Sequence, residues 1–446
     1  VKQILAVLGL LLALAVPAQA AEGPAHVTGS LNDGSTYVMD VPARWNGTVL
    51  LWSHGLNFTP ETPTPPNPAQ NAPTGATQAL LDQGYALIGS SYVTAGWVVA
   101  TAVPDQVATL AAFQQRFGRP KRTIAWGGSM GGLITTKLNE DYGSLLDGSV
   151  SLCGAVMGGP GIFNSMLDVS FALRTLIAPE LKLVDYTDRA DGLAAMRQLA
   201  KAVTAAQATP EGRARIALAA ALYDVPGYND PSQTRPAPGD AAAAEVNQFQ
   251  FVSTVIAAID TAARQDTEGN LGGNPSWNTG VDYRRLLGQS RVAEEVGQLY
   301  SAAGLSLHGD LDALAAAPRI SANPAAKELL ARSSALTGRL TKPQITLHTT
   351  GDGLVPIEGE QAYRQYSGDS PLLRQTNVDG PGHCAFALPE VLAGLKALEQ
   401  RLDSGRWGDT GAAAMNARAR AADPTATPRF TEFKPGPYQR PYQLRR

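Results

Sequence analysis

Residues 122–126, Arg-Thr-Ile-Ala-Trp, form a short apolar strand segment that runs without a linker into Gly127-Gly128-Ser129-Met130-Gly131-Gly132 and a helix-forming stretch at 130–142. With no residues available for a loop, strand and helix must meet in one sharp turn at Ser129. Glycines at 127 and 131 let backbone pass where a Cβ would clash. Such a turn presents the serine hydroxyl at the strand's C-terminal end, beside the Met130 N–H and the positive end of the following helix. Ser129 is therefore a candidate nucleophile. Gly-x-Ser-x-Gly also arises by chance in a chain with 45 glycines, so its surroundings must decide.

The surroundings alternate. Segments 37–41, 48–53, 85–90, 123–126 and 149–152 are rich in β-branched and aromatic residues and read as strands, while 77–83, 104–117 and 130–142 have helical spacing, with Pro104 placed at a helix start. Alternation of this kind implies α/β architecture with βαβ crossovers and a mostly parallel, doubly wound sheet. The proline-rich stretch 59–75 follows strand 48–53 and either lines a site at the strand ends or loops out over the surface. From 158 to 340 the chain is helical, with alanine-rich runs at 193–206, 213–222, 247–264 and 292–303 and loop-like breaks at 228–238 and 267–277. The βα rhythm returns at 344–350, 372–378 and the helix 385–402. The expected organisation is a core of 21–157 and 341–404, a helical cap inserted at 158–340, and an extended tail at 405–446, either solvated or packed across the domain surface.

With 44% hydrophobic and 17% charged residues and a net charge of −3, the 446-residue chain has the composition of a globular protein and no global field for nucleic acid or an anionic membrane. Residues 1–20 read as a signal peptide: Lys2, an apolar stretch at 4–16, and Ala18-Gln19-Ala20 before a mature start near Ala21. Later segments lack the roughly 18 apolar residues of a membrane span, so the expectation is a secreted or periplasmic protein without stable membrane insertion. Two cysteines, Cys153 and Cys384, favour a disulfide over free thiols in an exported chain.

A serine hydroxyl needs a base, and the base an orienting carboxylate. Of five histidines, His26 lies in the first strand region, His54 at a strand end, His308 in the helical insertion and His348 inside the apolar strand 344–350, where a core role is expected. His383, in Asp379-Gly380-Pro381-Gly382-His383-Cys384 between a strand and the last helix, is the accessible one. The carboxylate is expected at Asp352, directly after strand 344–350; Asp379 is placed to cap a turn, and Glu358 and Glu360 to open a helix.

The order Ser129, Asp352, His383 resembles that of the α/β-hydrolases, over 30–155 and 340–402. The resemblance implies that His54-Gly55 is the turn whose next residue, Leu56, supplies one oxyanion-hole N–H and Met130 the other, with His54 a turn-stabilising residue. Gly127-Gly128-Ser129-Met130-Gly131-Gly132 and Gly351-Asp352-Gly353-Leu354-Val355-Pro356 are also similar to the prolyl-oligopeptidase-like branch, although no β-propeller precedes them. Lipases, esterases and proline aminopeptidases of this fold carry their lids where this chain has its insertion. Tannase-like and feruloyl-esterase-like hydrolases also place cysteine after the histidine, but there the partner precedes the serine, where this chain has Gly128. A Cys153–Cys384 bridge would pin the histidine loop. What the resemblance implies is a secreted serine hydrolase of small-molecule or polymer esters, working through an acyl-enzyme without metal or cofactor. Two alternatives stand beside it: a peptidase whose cap carboxylate, Asp168, Asp185 or Glu180, holds a substrate amine, and a non-catalytic envelope protein. No segment specifies an oligomer.

Overall fold

The computed structural model describes residues 24–58 and 68–443; the expected signal peptide and residues 59–67 lie outside the described residues. Nine strands among the described residues form one sheet: β1 (Ala25–Ser30), β2 (Thr36–Val41), β3 (Thr48–Ser53), β4 (Ala86–Ser90), β5 (Arg122–Gly128), β6 (Gly148–Leu152), β7 (Gln344–Gly351), β8 (Leu373–Pro381) and β9 (Phe430–Thr431), in the order β1-β2-β4-β3-β5-β6-β7-β8-β9. The run from β4 to β8 is parallel, while β1, β2 and β9 pair antiparallel at the margins. All six residues of β3, Thr-Val-Leu-Leu-Trp-Ser, are buried, because a central parallel strand is covered on both faces.

Helices α1 (Thr77–Asp82), α2 (Val99–Phe117) and α3 (Met130–Tyr142) are the crossovers of the first half. Between β6 and β7 come α4 (Gly159–Leu176), α5 (Arg189–Ala206), α6 (Pro210–Ala221), α7 (Ala241–Phe251), α8 (Ala263–Leu271), α9 (Tyr283–Gln289), α10 (Ala293–Ala302), α11 (Leu307–Ala316) and α12 (Pro324–Ser334). The sheet then resumes with α13 (Glu358–Ser367), α14 (Leu388–Ser404) and α15 (Ala412–Ala422). One face of the sheet packs on α2, α3 and the inserted helices, and the other on α1, α14 and α15. Trp52 and Trp126, edge to face at 4.6 Å, fill the second face directly under the strand ends.

Several expectations are corrected. Helix α2 starts at Val99, so Pro104 lies inside it, where only one backbone donor is forgone. The break expected at 267–277 begins late, because 241–271 is one continuous helix with π-helical turns at Val252–Ile256 and Ala258–Ala262. Of the two alternatives for the tail, the packed one holds. The tail forms α15 and β9 and then crosses the inserted helices with Tyr438 and Gln439 buried.

Candidate active site

Strand β5 enters α3 through Ser129 at φ 59° and ψ −125°, a conformation that costs a non-glycine residue about 1–3 kcal/mol and that the surrounding packing must hold. A Cβ on Gly131 would collide with the carbonyls of Ser53 and His54, and one on Gly127 would meet Ser53 O at 2.6 Å; the two glycines let β3 and the turn of α3 close on the serine. The Met130 N–H opens the first turn of α3, where no intrahelical acceptor exists. Leu56 follows Gly55, whose added Cβ would stand 3.2 Å from Ser129 Cβ and 3.7 Å from Oγ. Ser129, Met130 and Leu56 thus border one space.

Asp352 is fully buried at the end of β7. Its Oδ1 accepts the backbone N–H groups of Leu354 and Val355, each at 2.9 Å, and its Oδ2 lies 2.7 Å from His383 Nδ1. That bond places the proton on Nδ1 and leaves Nε2 as the accepting atom. His383 and Ser129 line the same cavity of about 670 Å³, a volume suited to a small-molecule substrate. Ser129 Oγ makes no hydrogen bond within the described residues; nucleophile–base bonds commonly tighten only when substrate arrives. Residues 73–75, the end of the proline-rich stretch, line this cavity.

Cys153 and Cys384 are joined by a disulfide, Cα to Cα 5.2 Å, and both residues have positive φ, 44° and 54°. Cys153 N–H is bonded to Leu347 O on β7 at 2.7 Å, and Cys384 Sγ lies 3.5 Å from His383 Nε2, so the bridge holds the histidine loop against the sheet. A Cβ at Gly128 would lie 3.7 Å from that same sulfur. Gly128 pairs with Leu152 across the sheet, so Cys153 reaches the loop from the neighbouring strand. The two sulfurs and the His383 imidazole fall within 4.8 Å of one another, a grouping that could take a metal only after reduction, since bridged sulfurs offer no thiolate.

His348 is fully buried, as its place in an apolar strand predicts, but in a charged setting. Its Nε2 is 2.8 Å from Val355 O and 3.4 Å from Asp352 Oδ2, and its Nδ1 is 3.3 Å from Glu360 Oε1. Both nitrogens face only acceptors, so both carry protons. Burial opposes that charge, yet the two carboxylates outweigh it and lift the His348 pKa to about 10. Burial likewise opposes ionisation of Asp352, but the neighbouring His383 and His348 imidazoles hold its carboxyl far below the usual range. Glu360, expected only to open a helix, is the residue the sequence reading missed; its other oxygen takes the Thr346 hydroxyl at 2.7 Å.

His54 is buried, stacks on Tyr92 at 3.9 Å and has its ring nitrogens 2.8 Å from Gly55 O and 3.2 Å from Ser91 O, in keeping with a turn-stabilising residue; burial lowers its pKa. His26 is exposed beside Asp40, and His308 is exposed on α11. Asp379 takes the Thr350 hydroxyl at 3.2 Å and pairs with Arg235 at 3.5 Å. Of the cap carboxylates, Asp168 is buried against Arg440 and Tyr283, and neither Asp185 nor Glu180 borders the cavity. His383 is the sole ionisable side chain among the described residues lining it.

An eight-strand order with β2 reversed, a serine turn after β5, an aspartate after β7 and a histidine after β8 define the α/β-hydrolase fold, and this chain has it. No protein-family profile matches the sequence. The chain is 29% identical over 431 residues to the o-phthalyl amidase of Xanthobacter agilis, covering 90% of this chain and 92% of the relative. Among solved structures it is similar to feruloyl esterase B from Aspergillus oryzae, at 13% identity and TM-score 0.38 over 86% of this chain and 81% of that one. A Pyrococcus furiosus esterase matches at 11% identity and TM-score 0.39 over 87% and 94% of the two chains.

Proposed function

We propose that this protein is a serine hydrolase that cleaves a carboxylic ester through an acyl-enzyme. The observation that carries the reading is the strained Ser129 turn and the His383–Asp352 pair on the wall of one cavity. In this reading Ser129 Oγ attacks the carbonyl carbon while His383 Nε2 takes its proton. The N–H groups of Met130 and Leu56 hold the oxyanion, each such donor being worth roughly 3 kcal/mol in the transition state. His383 then gives the proton to the departing alcohol, and water, activated by the same imidazole, releases the acid. Asp352 stabilises the imidazolium throughout.

A second reading, hydrolysis of an amide, is favoured by the amidase similar to this chain over nearly its whole length. The same residues serve it, with the proton passing to an amine. A peptidase holding a free amine gains no support from Asp168, Asp185 or Glu180, since none of them lines the cavity. Export is part of the proposal, and the disulfide is compatible with an oxidising compartment. Among the described residues no helix is long and apolar enough to cross a membrane.

The test is labelling with a fluorophosphonate, mapping of the adduct, and comparison of p-nitrophenyl esters with the matching anilides. We expect the adduct on Ser129, and a loss of roughly 10⁴-fold or more in kcat for Ser129→Ala. Folded protein without an adduct would overturn the reading. Anilide turnover without ester turnover would select the amidase.

A further inference from the structure

Behind the His383–Asp352 pair lies a second imidazole that the acyl-transfer steps leave unused. His348 is fully buried on β7, and Asp352 Oδ2 stands between the two histidines, 2.7 Å from His383 Nδ1 and 3.4 Å from His348 Nε2. On its far side His348 Nδ1 lies 3.3 Å from Glu360 Oε1, so two buried carboxylates and two imidazoles form one row from α13 to the cavity wall.

Hydrogen bonding fixes the protons in that row. Asp352 Oδ1 accepts two backbone N–H groups and Oδ2 the His383 Nδ1–H, so Asp352 is ionised. Arg364 Nε donates to Gln375 Oε1 at 2.9 Å, which turns the Gln375 amide nitrogen toward Glu360 Oε2 at 2.6 Å, and that oxygen accepts. His348 Nε2 meets the Val355 carbonyl at 2.8 Å, while Nδ1 meets Glu360 Oε1. With acceptors at both nitrogens, His348 is an imidazolium. The other titratable groups that reach the row are Tyr223, which interacts with Asp352, and Tyr363 of α13, which interacts with Glu360 and with Glu140 of α3. Burial keeps both phenols protonated, and their hydroxyls donate to Leu354 O at 2.6 Å and Glu140 Oε1 at 3.0 Å.

At rest two carboxylates face one imidazolium, and a second positive charge arrives when His383 takes the serine proton. Without the His348 charge both carboxylates would draw a proton onto His383 before any serine attacked, and a protonated imidazole is no base. We propose that His348, held by Glu360, is a positioning residue of the triad: it engages the same Asp352 oxygen as His383, fixes that carboxylate, and sets the acid limit of catalysis at a lower pH than Asp352 and Glu360 alone would allow. The proposal rests on the serine-hydrolase reading, in which His383 is the base.

The test is the pH profile of kcat/KM for p-nitrophenyl acetate on the intact protein, whose acid limb reports the base of the free enzyme. His348→Gln keeps a hydrogen-bonding side chain and removes the charge. A charge this near displaces a titration by roughly one pH unit or more. The acid limb of the variant should therefore move up by about one unit, a loss of about 10-fold on the acid side with a smaller loss on the plateau. A role in packing alone predicts the opposite sign, since a displaced Asp352 supports the protonated His383 less. A limb that stays in place or moves down overturns the proposal. Should the variant not fold, NMR of the native protein with isotope-labelled histidine decides: His348 must keep both ring N–H protons on the activity plateau, and a singly protonated His348 there overturns the proposal. Fluorophosphonate labelling separates the two failures: an unlabelled Ser129 sinks the hydrolase reading, whereas a labelled enzyme with an unmoved limb sinks only this one.

Discussion

Asp352 Oδ2 has an imidazole on each side, His383 at 2.7 Å and His348 at 3.4 Å, and Glu360 closes the chain beyond His348. The pH consequence follows from direction. The folded pKa of His348, about 10, exceeds its ordinary 6.5, so its contribution to stability is complete below about pH 6.5 and is lost as pH rises through 10. Asp352 is depressed, so its contribution is present above the ordinary carboxylate range and fades only in strong acid. Urea unfolding between pH 6.5 and 10 should therefore show stability falling with pH in the native protein. His348→Gln should flatten that fall and cost about 3 kcal/mol at pH 7, because two buried carboxylates lose their cation. A native protein whose stability is level across this window would contradict the buried imidazolium. Asp352 and His383 meet because each follows a strand, and ends of neighbouring parallel strands share an edge. The sequence hid His348 in an apolar strand, since Glu360 reaches it only when α13 folds back along β7.

Among the elements, the β8–α14 loop carries His383 and is braced from two directions. The disulfide ties it to β6. From the tail, Arg429 bonds Ala385 O at 2.7 Å and the buried Glu390 at 2.9 Å. Breaking either brace should loosen the base more than the binding cavity. Cys153→Ser with Cys384→Ser is expected to cost about 2–5 kcal/mol in stability and, in the folded protein at low temperature, to lower kcat more than it raises KM. A steady-state comparison with the reduced native protein checks this, and an unchanged kcat would leave the bridge a purely structural staple. The tail elements were illegible for a physical reason. Helix α15 buries only Met415 and Ala419, and β9 has two residues, so neither leaves a periodic apolar signal. Gly272 and Gly273, adjacent in sequence, mimic a break that the long cap helix does not reach until its end at Leu271.

At the scale of the molecule the tail acts as a strap from the sheet across the inserted helices. Tyr438 OH is 2.9 Å from Ser165 Oγ, Gln439 donates to Ala221 O and Leu286 O at 2.8 and 2.9 Å, and Arg440 pairs with buried Asp168 and donates to Trp277 O at 2.9 Å. Burial pushes the Asp168 carboxyl up to about 6 against the pull of Arg440, so the pair is poised. Arg440→Ala should lower stability by about 3–5 kcal/mol through the carboxylate left alone, whereas Arg440→Ala with Asp168→Asn should recover part of it. Thermal unfolding of the single and double variants reads this directly, and a single variant as stable as the parent would refute the strap. Along the chain, local pattern was enough to determine the alternating sheet, the place of the insertion, the serine turn and the order of Ser129, Asp352 and His383, because periodicity and turn chemistry act over a few residues. What covers the sheet's far edge, which charges surround Asp352 and where the tail lies were decided only by tertiary structure, because those contacts join residues that sequence distance keeps far apart.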